Sequence, residues 1–565
     1  MVGTAKCAQP NAATMRRHWR RSCCAVAVLC VLAPAGLRAA DLGDVDGWDI
    51  RWDNTVRYTA AFRLFGQDGA LIADPNADDG DRNFSRGLVS DRFDLLSEFD
   101  VSKGNFGLDV SADGWYDTVY HQSNHNDSPA TFNPYSVAHN QFTRATEILQ
   151  GEDADLLNAF VHDSFDVGDT PVSLRLGRNS LLWGESLYFA GNGIAAGQAP
   201  IDEIKAASEP EAEAKEVYLP VGQASITVQP TPALALSAYY QFEWRRSRLP
   251  GSGSYFSDAD YLDAGGERLI VSPGQYLYRG ADQTPRSSGQ FGFAVTATVQ
   301  DFDLGLYAIR FDAKEPELYL LPGVWTNPAF GRVGTYELAF PAGIDAYGAS
   351  FSTYIGQSTI AGEVSMRNNM PLVSAANYAL AGGSGGGGYG PALQGAGYNA
   401  ALLPAGPPVT VTPSYIQNTY AIGQTLHGQL SSVSTLSPTS MWDGADFSAE
   451  FAANDALEVT RYGADLAPGR TSFAVAMRAV FEPHYFAVLP ALDLSVPIGL
   501  GYDLIGRSRT DASLNAGAGD VELGVTATYR AVWQGSITMT HFIGSPSSQP
   551  FADRDFISLS LERTF

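Results

Sequence analysis

Cysteine is missing from almost the whole chain. All four cysteines, Cys7, Cys23, Cys24 and Cys30, fall within the first 40 of 565 residues. The chain beyond residue 40 therefore carries no disulfide framework and no thiolate metal site. Charge is scarce as well, at 17% of residues. Six of the 36 basic residues precede position 41, which leaves 30 against 61 acids and a net charge near −31 for the remainder. That surplus excludes nucleic-acid binding through phosphates. Long apolar runs are also absent. Beyond the N-terminus no stretch reaches the roughly 18 apolar residues of a spanning helix, and mean hydropathy is −0.09. A polytopic helical membrane protein is excluded.

What is present begins with a secretory signal, assigned to residues 1–40. Arg16, Arg17, Arg20 and Arg21 form its charged region, and 22–36 its apolar region. Leu37-Arg38-Ala39-Ala40 offers cleavage after Ala40 or Ala39, and Met15 is an alternative start. The apolar stretch is too short for a membrane anchor, and none of the leader cysteines has the small-residue context of a lipobox. The mature protein, 41–565, is therefore expected outside the inner membrane.

Glycine (58), tyrosine (26) and phenylalanine (29) are abundant, a composition of strands rather than helices. Several segments alternate with the period of a membrane strand, apolar toward lipid and polar toward a lumen. In 234–245, Leu234, Leu236, Ala238, Tyr240, Phe242 and Trp244 oppose Ser237, Gln241, Glu243 and Arg245. In 359–369, Ile360, Val364 and Met366 oppose Glu363, Ser365 and Arg367. In 521–530, Leu523 and Val525 oppose Glu522 and Arg530, and in 91–101 Phe93, Leu95 and Phe99 oppose Asp94, Glu98 and Asp100. Soluble antiparallel sheets alternate too, so the connections carry the decision. Short turns near 103–105, 167–171, 229–232, 300–301, 356–357, 437–444, 488–490 and 534–535 alternate with nine long excursions. These lie near 63–90, 121–152, 179–214, 247–286, 314–343, 371–413, 455–470, 505–519 and 543–554.

This asymmetry is that of an outer-membrane barrel, with short periplasmic turns and long extracellular loops. An all-β transmembrane antiparallel barrel of about 18 strands is predicted, 16 being compatible with the pattern. The chain ends on an alternating strand closed by Phe565, the residue type the barrel-assembly machinery would recognise. Assembly machinery and outer-membrane lipids are thus the expected partners, and the outer membrane the expected location.

The lumen-lining candidates are Glu243, Arg245, Glu363, Arg367, Glu522 and Arg530. The Ala-, Glu- and Lys-rich stretch 201–216 reads as helical, and a helical loop or plug is expected around 195–217. The Gly-rich stretch 382–390 sits inside a long outer loop. His121 and Ser123 share a spacing that would put both on one strand face, where a histidine can activate a serine. Strand parity turns them inward, away from lipid substrates, and a polar loop start explains them equally well. His121, His125 and Asp127 are metal-ligand types without a framework to fix them. The acidic run 74–81 is dense in hard oxygen ligands but lacks the order of an EF-hand. Gly382 to Gly386 formally fits a nucleophile elbow, but no helix is expected to follow. No catalytic residue, metal or cofactor is assigned.

Several phrases resemble the large proteobacterial outer-membrane family known as DUF1302. They include Asn126-Asp127-Ser128-Pro129, Leu157-Asn158-Ala159-Phe160-Val161, Leu176-Gly177-Arg178, Trp183-Gly184-Glu185-Ser186 and Gln198-Ala199-Pro200-Ile201-Asp202. Lys215-Glu216-Val217-Tyr218-Leu219-Pro220, Gly253-Ser254-Tyr255-Phe256-Ser257 and Gly362-Glu363-Val364-Ser365-Met366-Arg367-Asn368-Asn369 extend the resemblance along most of the chain. It implies a barrel associated with hydrophobic compounds such as steroids and terpenoids. It also implies as partners a lipoprotein-like protein and a transporter of the resistance-nodulation-division type. The expected function is passage of small hydrophobic or amphipathic molecules; the alternatives are a surface scaffold or receptor with a plugged lumen, and a lipid hydrolase.

Overall fold

The computed structural model describes residues 40–208, 217–375, 377–378 and 420–565. The signal assigned to 1–40 lies almost entirely outside this set, as do the Gly-rich stretch 382–390 and most of the 371–413 loop.

Eighteen antiparallel strands close into a barrel. They are β1 (Trp48–Arg63), β2 (Gly87–Lys103), β3 (Phe106–Asp117), β4 (Glu152–Val167), β5 (Thr170–Asn179), β6 (Val221–Thr231), β7 (Leu234–Gln241), β8 (Gln290–Val299) and β9 (Phe302–Phe311). The second half comprises β10 (Ile344–Ile355), β11 (Ser358–Pro371), β12 (Ile422–Leu436), β13 (Gly444–Arg461), β14 (Phe473–Leu489), β15, β16 (Gly519–Tyr529), β17 (Trp533–Ile543) and β18 (Phe556–Thr564). Strand β15 comes in two pieces, Leu492–Ser495 and Ile498–Ile505, because Pro497 between them has no N–H for the ladder. Both pieces still bridge β14 and β16. Closure runs from Thr55 opposite Thr564 to Arg63 opposite Phe556. Phe565 extends it: its N–H donates to Asn54 O at 2.9 Å, and its carbonyl accepts from Asn54 N at 2.8 Å. A short strand, Ala40–Val45, folds back on the start of β1.

Turn chemistry sets the short end. Two-residue connections follow β2, β4, β8 and β10, and their first residues Gly104, Gly168, Gln300 and Gly356 have φ between 56° and 67°. Such left-handed turns match the twist of a hairpin. One short turn differs from expectation. It occupies 530–532, and Gln534 and Gly535 belong to β17, with Gly535 paired to Ala527. Glycine marks turns in sequence, but here it is a strand residue.

The wall is apolar outside and polar inside. Leu523 and Val525 of β16 and Val364 of β11 are exposed at 46% or more, whereas Glu363, Ser365 and Arg367 are buried. Among the described residues no helix is long and apolar enough to cross a membrane. A closed barrel is the other way across, since its strands bond to one another around the ring and leave no open edge. The described parts of the long connections lie at the other end. Two of them, with residues 377–378 of a third, contribute a five-stranded sheet from Arg268–Ser272, Gln275–Arg279, Glu317–Asn327, Arg332–Ala339 and Asn377–Tyr378. Leu269, Leu277, Leu320 and Tyr336 form its fully buried core.

Candidate functional site: a loop folded into the lumen

In the connection between β5 and β6, described over 180–208 and 217–220, residues 183–198 turn inward and are fastened to the lumen face of the wall. Three wall residues hold it by its backbone. Glu450 of β13 accepts from Leu187 N (3.1 Å), Tyr188 N (2.5 Å) and Phe189 N (3.0 Å). Glu363 of β11 accepts from Glu185 N (2.7 Å) and Ile194 N (2.8 Å). Arg367 donates to the carbonyls of Gly191 (3.1 Å), Asn192 (2.7 Å) and Gly193 (2.8 Å). A carboxylate gathering N–H groups and a guanidinium gathering carbonyls satisfy a buried loop that has no secondary-structure partner.

Side chains complete the seat. His427 Nδ1 meets Asn192 Oδ1 at 2.9 Å, and Asn454 Nδ2 donates to the same oxygen at 3.3 Å. Trp183 packs edge-on to Tyr239 and tilts toward Tyr307, with centroids 5.0 and 6.0 Å away. Ile194 joins Tyr239, Tyr307, Ile309 and Phe311 in one apolar cluster. Gly184 is required where it stands: its φ is +95°, and a Cβ there would lie 2.1 Å from Glu363 Oε2.

Within the stretch 195–217 the described residues hold a 3-10 turn, Ile194–Gly197, and a short helix, Glu203–Ser208, while 209–216 lie outside the described set. Lys205 reaches down from the helix to Asp113 on the lumen face of β3. The inward element begins upstream of residue 195, and its lumen anchors are irregular backbone together with Ile194, the first residue of the 3-10 turn. No composition signal marks such a segment. Below it opens a cavity of about 250 Å³ lined by Glu185, Thr296, Thr298, Asp303, Tyr307 and Ser350. Burial, then the nearby carboxylates of Glu363 and Asp303, push the Glu185 carboxyl above its ordinary range.

The lumen candidates separate. Glu363 and Arg367 are brought together under the loop. Glu522 lies beside Arg478, 2.6 Å away, with Asp520 on the same guanidinium. Arg245 lies past the end of β7 and pairs with Asp155 on β4. Glu243 is a correction: it sits on the outer rim rather than the lumen face, paired to Arg178. Phe242 N and Glu243 N both bond to Gly222 O, so the alternation that ordered β7 ends there. Arg530 is the second correction. It occupies the short turn after β16 with φ +54°, its guanidinium over the Tyr529 ring. Glu450 and Gln429 were missed, although Glu450 sits among small and apolar neighbours at lumen parity.

His121 and Ser123 do not form a pair on a strand. A helical turn, Val119–His121, follows β3, His121 stacks on Tyr116, and Ser123 is exposed. His125 meets Ser85 and Asp127 meets Arg82, so these three ligand types do not converge.

With this geometry in hand, a family model described as "Protein of unknown function (DUF1302)" matches residues 20–565. The chain belongs to the DUF1302 family. No curated protein matches this DUF1302 barrel. Among solved structures it is loosely similar to OccAB4 of Acinetobacter baumannii, with 9% identity, 91% of this chain and 98% of that one covered, and TM-score 0.40. OccAB1 of the same organism gives 11%, 94%, 99% and 0.41. A BenF-like porin from Pseudomonas fluorescens gives 9%, 92%, 98% and 0.39.

Proposed function

We propose that this barrel admits small amphipathic molecules through the outer membrane, with the inward-folded loop as its constriction. The observation that carries this reading is the seat made by Glu363, Arg367 and Glu450, which narrows a wall otherwise wide enough for an aqueous lumen. Trp183, Tyr239 and Tyr307 offer an apolar surface beside the carboxylates of Glu185 and Asp303, a lining suited to solutes with both characters. Solutes that pass would be handed to a lipoprotein-like protein and a resistance-nodulation-division transporter.

Planar-bilayer conductance and liposome uptake of wild type and Glu450→Gln test the reading. The variant weakens an acceptor for three N–H groups, so conductance and uptake should rise severalfold. Unchanged, silent behaviour of both proteins in both assays would remove the channel. A second reading, a plugged scaffold, draws on the outer end, where Phe84, Tyr120, Phe142 and Tyr255 pack together. The space left beside them is about 30 Å³. Uptake has to accompany conductance, because a hydrophobic solute leaving sideways carries no current.

A further inference from the structure

Away from the lumen, three carboxylates meet where outer loops converge. Asp78 and Asp79 lie in loop 64–86, and Asp260 comes from loop 242–289. One oxygen from each lies within 4.8 Å of the other two, and all three residues are fully buried. The approach is held by backbone: Asp79 N donates to Asp260 Oδ2 at 3.1 Å. Loop 118–151 joins through Asn126 Nδ2 and Asn133 N, which donate to the two Asp79 oxygens at 2.9 and 3.0 Å.

Hydrogen bonds leave this cluster incomplete. Asp78 Oδ1 and Asp260 Oδ1 are buried and accept no hydrogen bond. The bonded cation is Arg82, divided between Asp78 at 2.5 Å and exposed Asp127 at 3.0 Å. Burying unpaired carboxylates is among the costliest arrangements in a protein, and orphaned acceptors add to the cost. Three carboxylates and one guanidinium leave two negative charges, the charge that a single divalent ion would balance. The donors are all oxygen, the set preferred by hard cations that take six to eight such ligands.

We propose that Asp78, Asp79 and Asp260 form a calcium-class divalent-cation site that locks the first, second and fourth outer loops into one cap. The third carboxylate arrives 181 residues after Asp79, so the acidic run 74–81 alone does not contain the site.

The test uses the full-length protein in detergent, stripped with a chelator and returned to Ca²⁺ at constant ionic strength. Calorimetry on wild type should show saturable one-to-one binding, and limited proteolysis should show the outer loops protected. In Asp260→Asn, affinity should fall at least tenfold. Without metal that variant should resist proteolysis better than wild type, since it removes one of three crowded charges. Asp78→Asn should behave alike and serves if Asp260→Asn does not fold. Asp169→Asn, in the exposed short turn after β4, should bind within twofold of wild type. Absence of binding to wild type, wild-type affinity in both Asp260→Asn and Asp78→Asn, or an equal loss in Asp169→Asn would each overturn the site.

Discussion

The wall and the outer cap obey opposite burial rules within one chain. On the wall, Leu306 is 62% exposed and Glu450 fully buried. In the outer sheet, Leu269, Leu277, Leu320 and Tyr336 are fully buried, as in any soluble domain. The difference lies in the surroundings: lipid accepts the wall's apolar side chains, while water on the outer side drives the cap's inward. The lumen loop stands where the two rules meet. Its apolar residues pack inward on Tyr239 and Phe311, yet its backbone is secured by wall charges.

The sharpest way to break this comparison is to put charge on the wall's lipid face. Leu523→Arg should cost about 2–4 kcal/mol near mid-membrane and reduce the heat-modifiable folded band, whereas Ala130→Arg on the exposed cap should leave that band intact. Deleting Phe565 attacks the same wall at its seam with Asn54 and should lower folded yield in outer-membrane fractions. In the cap, Leu277→Ala should cost about 3 kcal/mol of local stability. The outer sheet would then be cut by protease while the barrel keeps its heat-modifiable mobility; loss of both together would mean that wall and cap unfold as one.

Gly184→Ala probes the boundary. The clash with Glu363 and the positive φ should cost roughly 1–3 kcal/mol, releasing the loop without unfolding the wall. A cysteine at Ser186 should then label several times faster, residues 41–565 containing no other cysteine. The smallest effect concerns Lys314, whose ammonium donates to Gly197 O at 3.1 Å. Burial lowers its pKa from 10.5 to about 8. The folded protein then binds fewer protons than the unfolded one between these values, so stability should rise as pH increases across that window. Urea midpoints at pH 8 and 10 check this, and Lys314→Met should flatten the rise.

Sequence by itself determined the wall. Alternation is a property of neighbouring residues, and the nine long excursions and eight short turns follow from where it lapses, so the barrel and the lumen parity of Glu363 and Arg367 were legible. It misplaced Glu243 and Arg530 because parity holds only while the ladder continues, and a shared carbonyl or a tight turn ends it. Only the tertiary structure decided where the loops go. The inward course of the loop after β5 depends on Glu363, Arg367 and Glu450, which lie more than 160 residues from the backbone they hold. The meeting of Asp79 with Asp260 depends likewise on chain closure around the ring. Such contacts leave no periodic trace, since irregular backbone can be satisfied by any suitably placed side chain and local sequence does not say which one arrives.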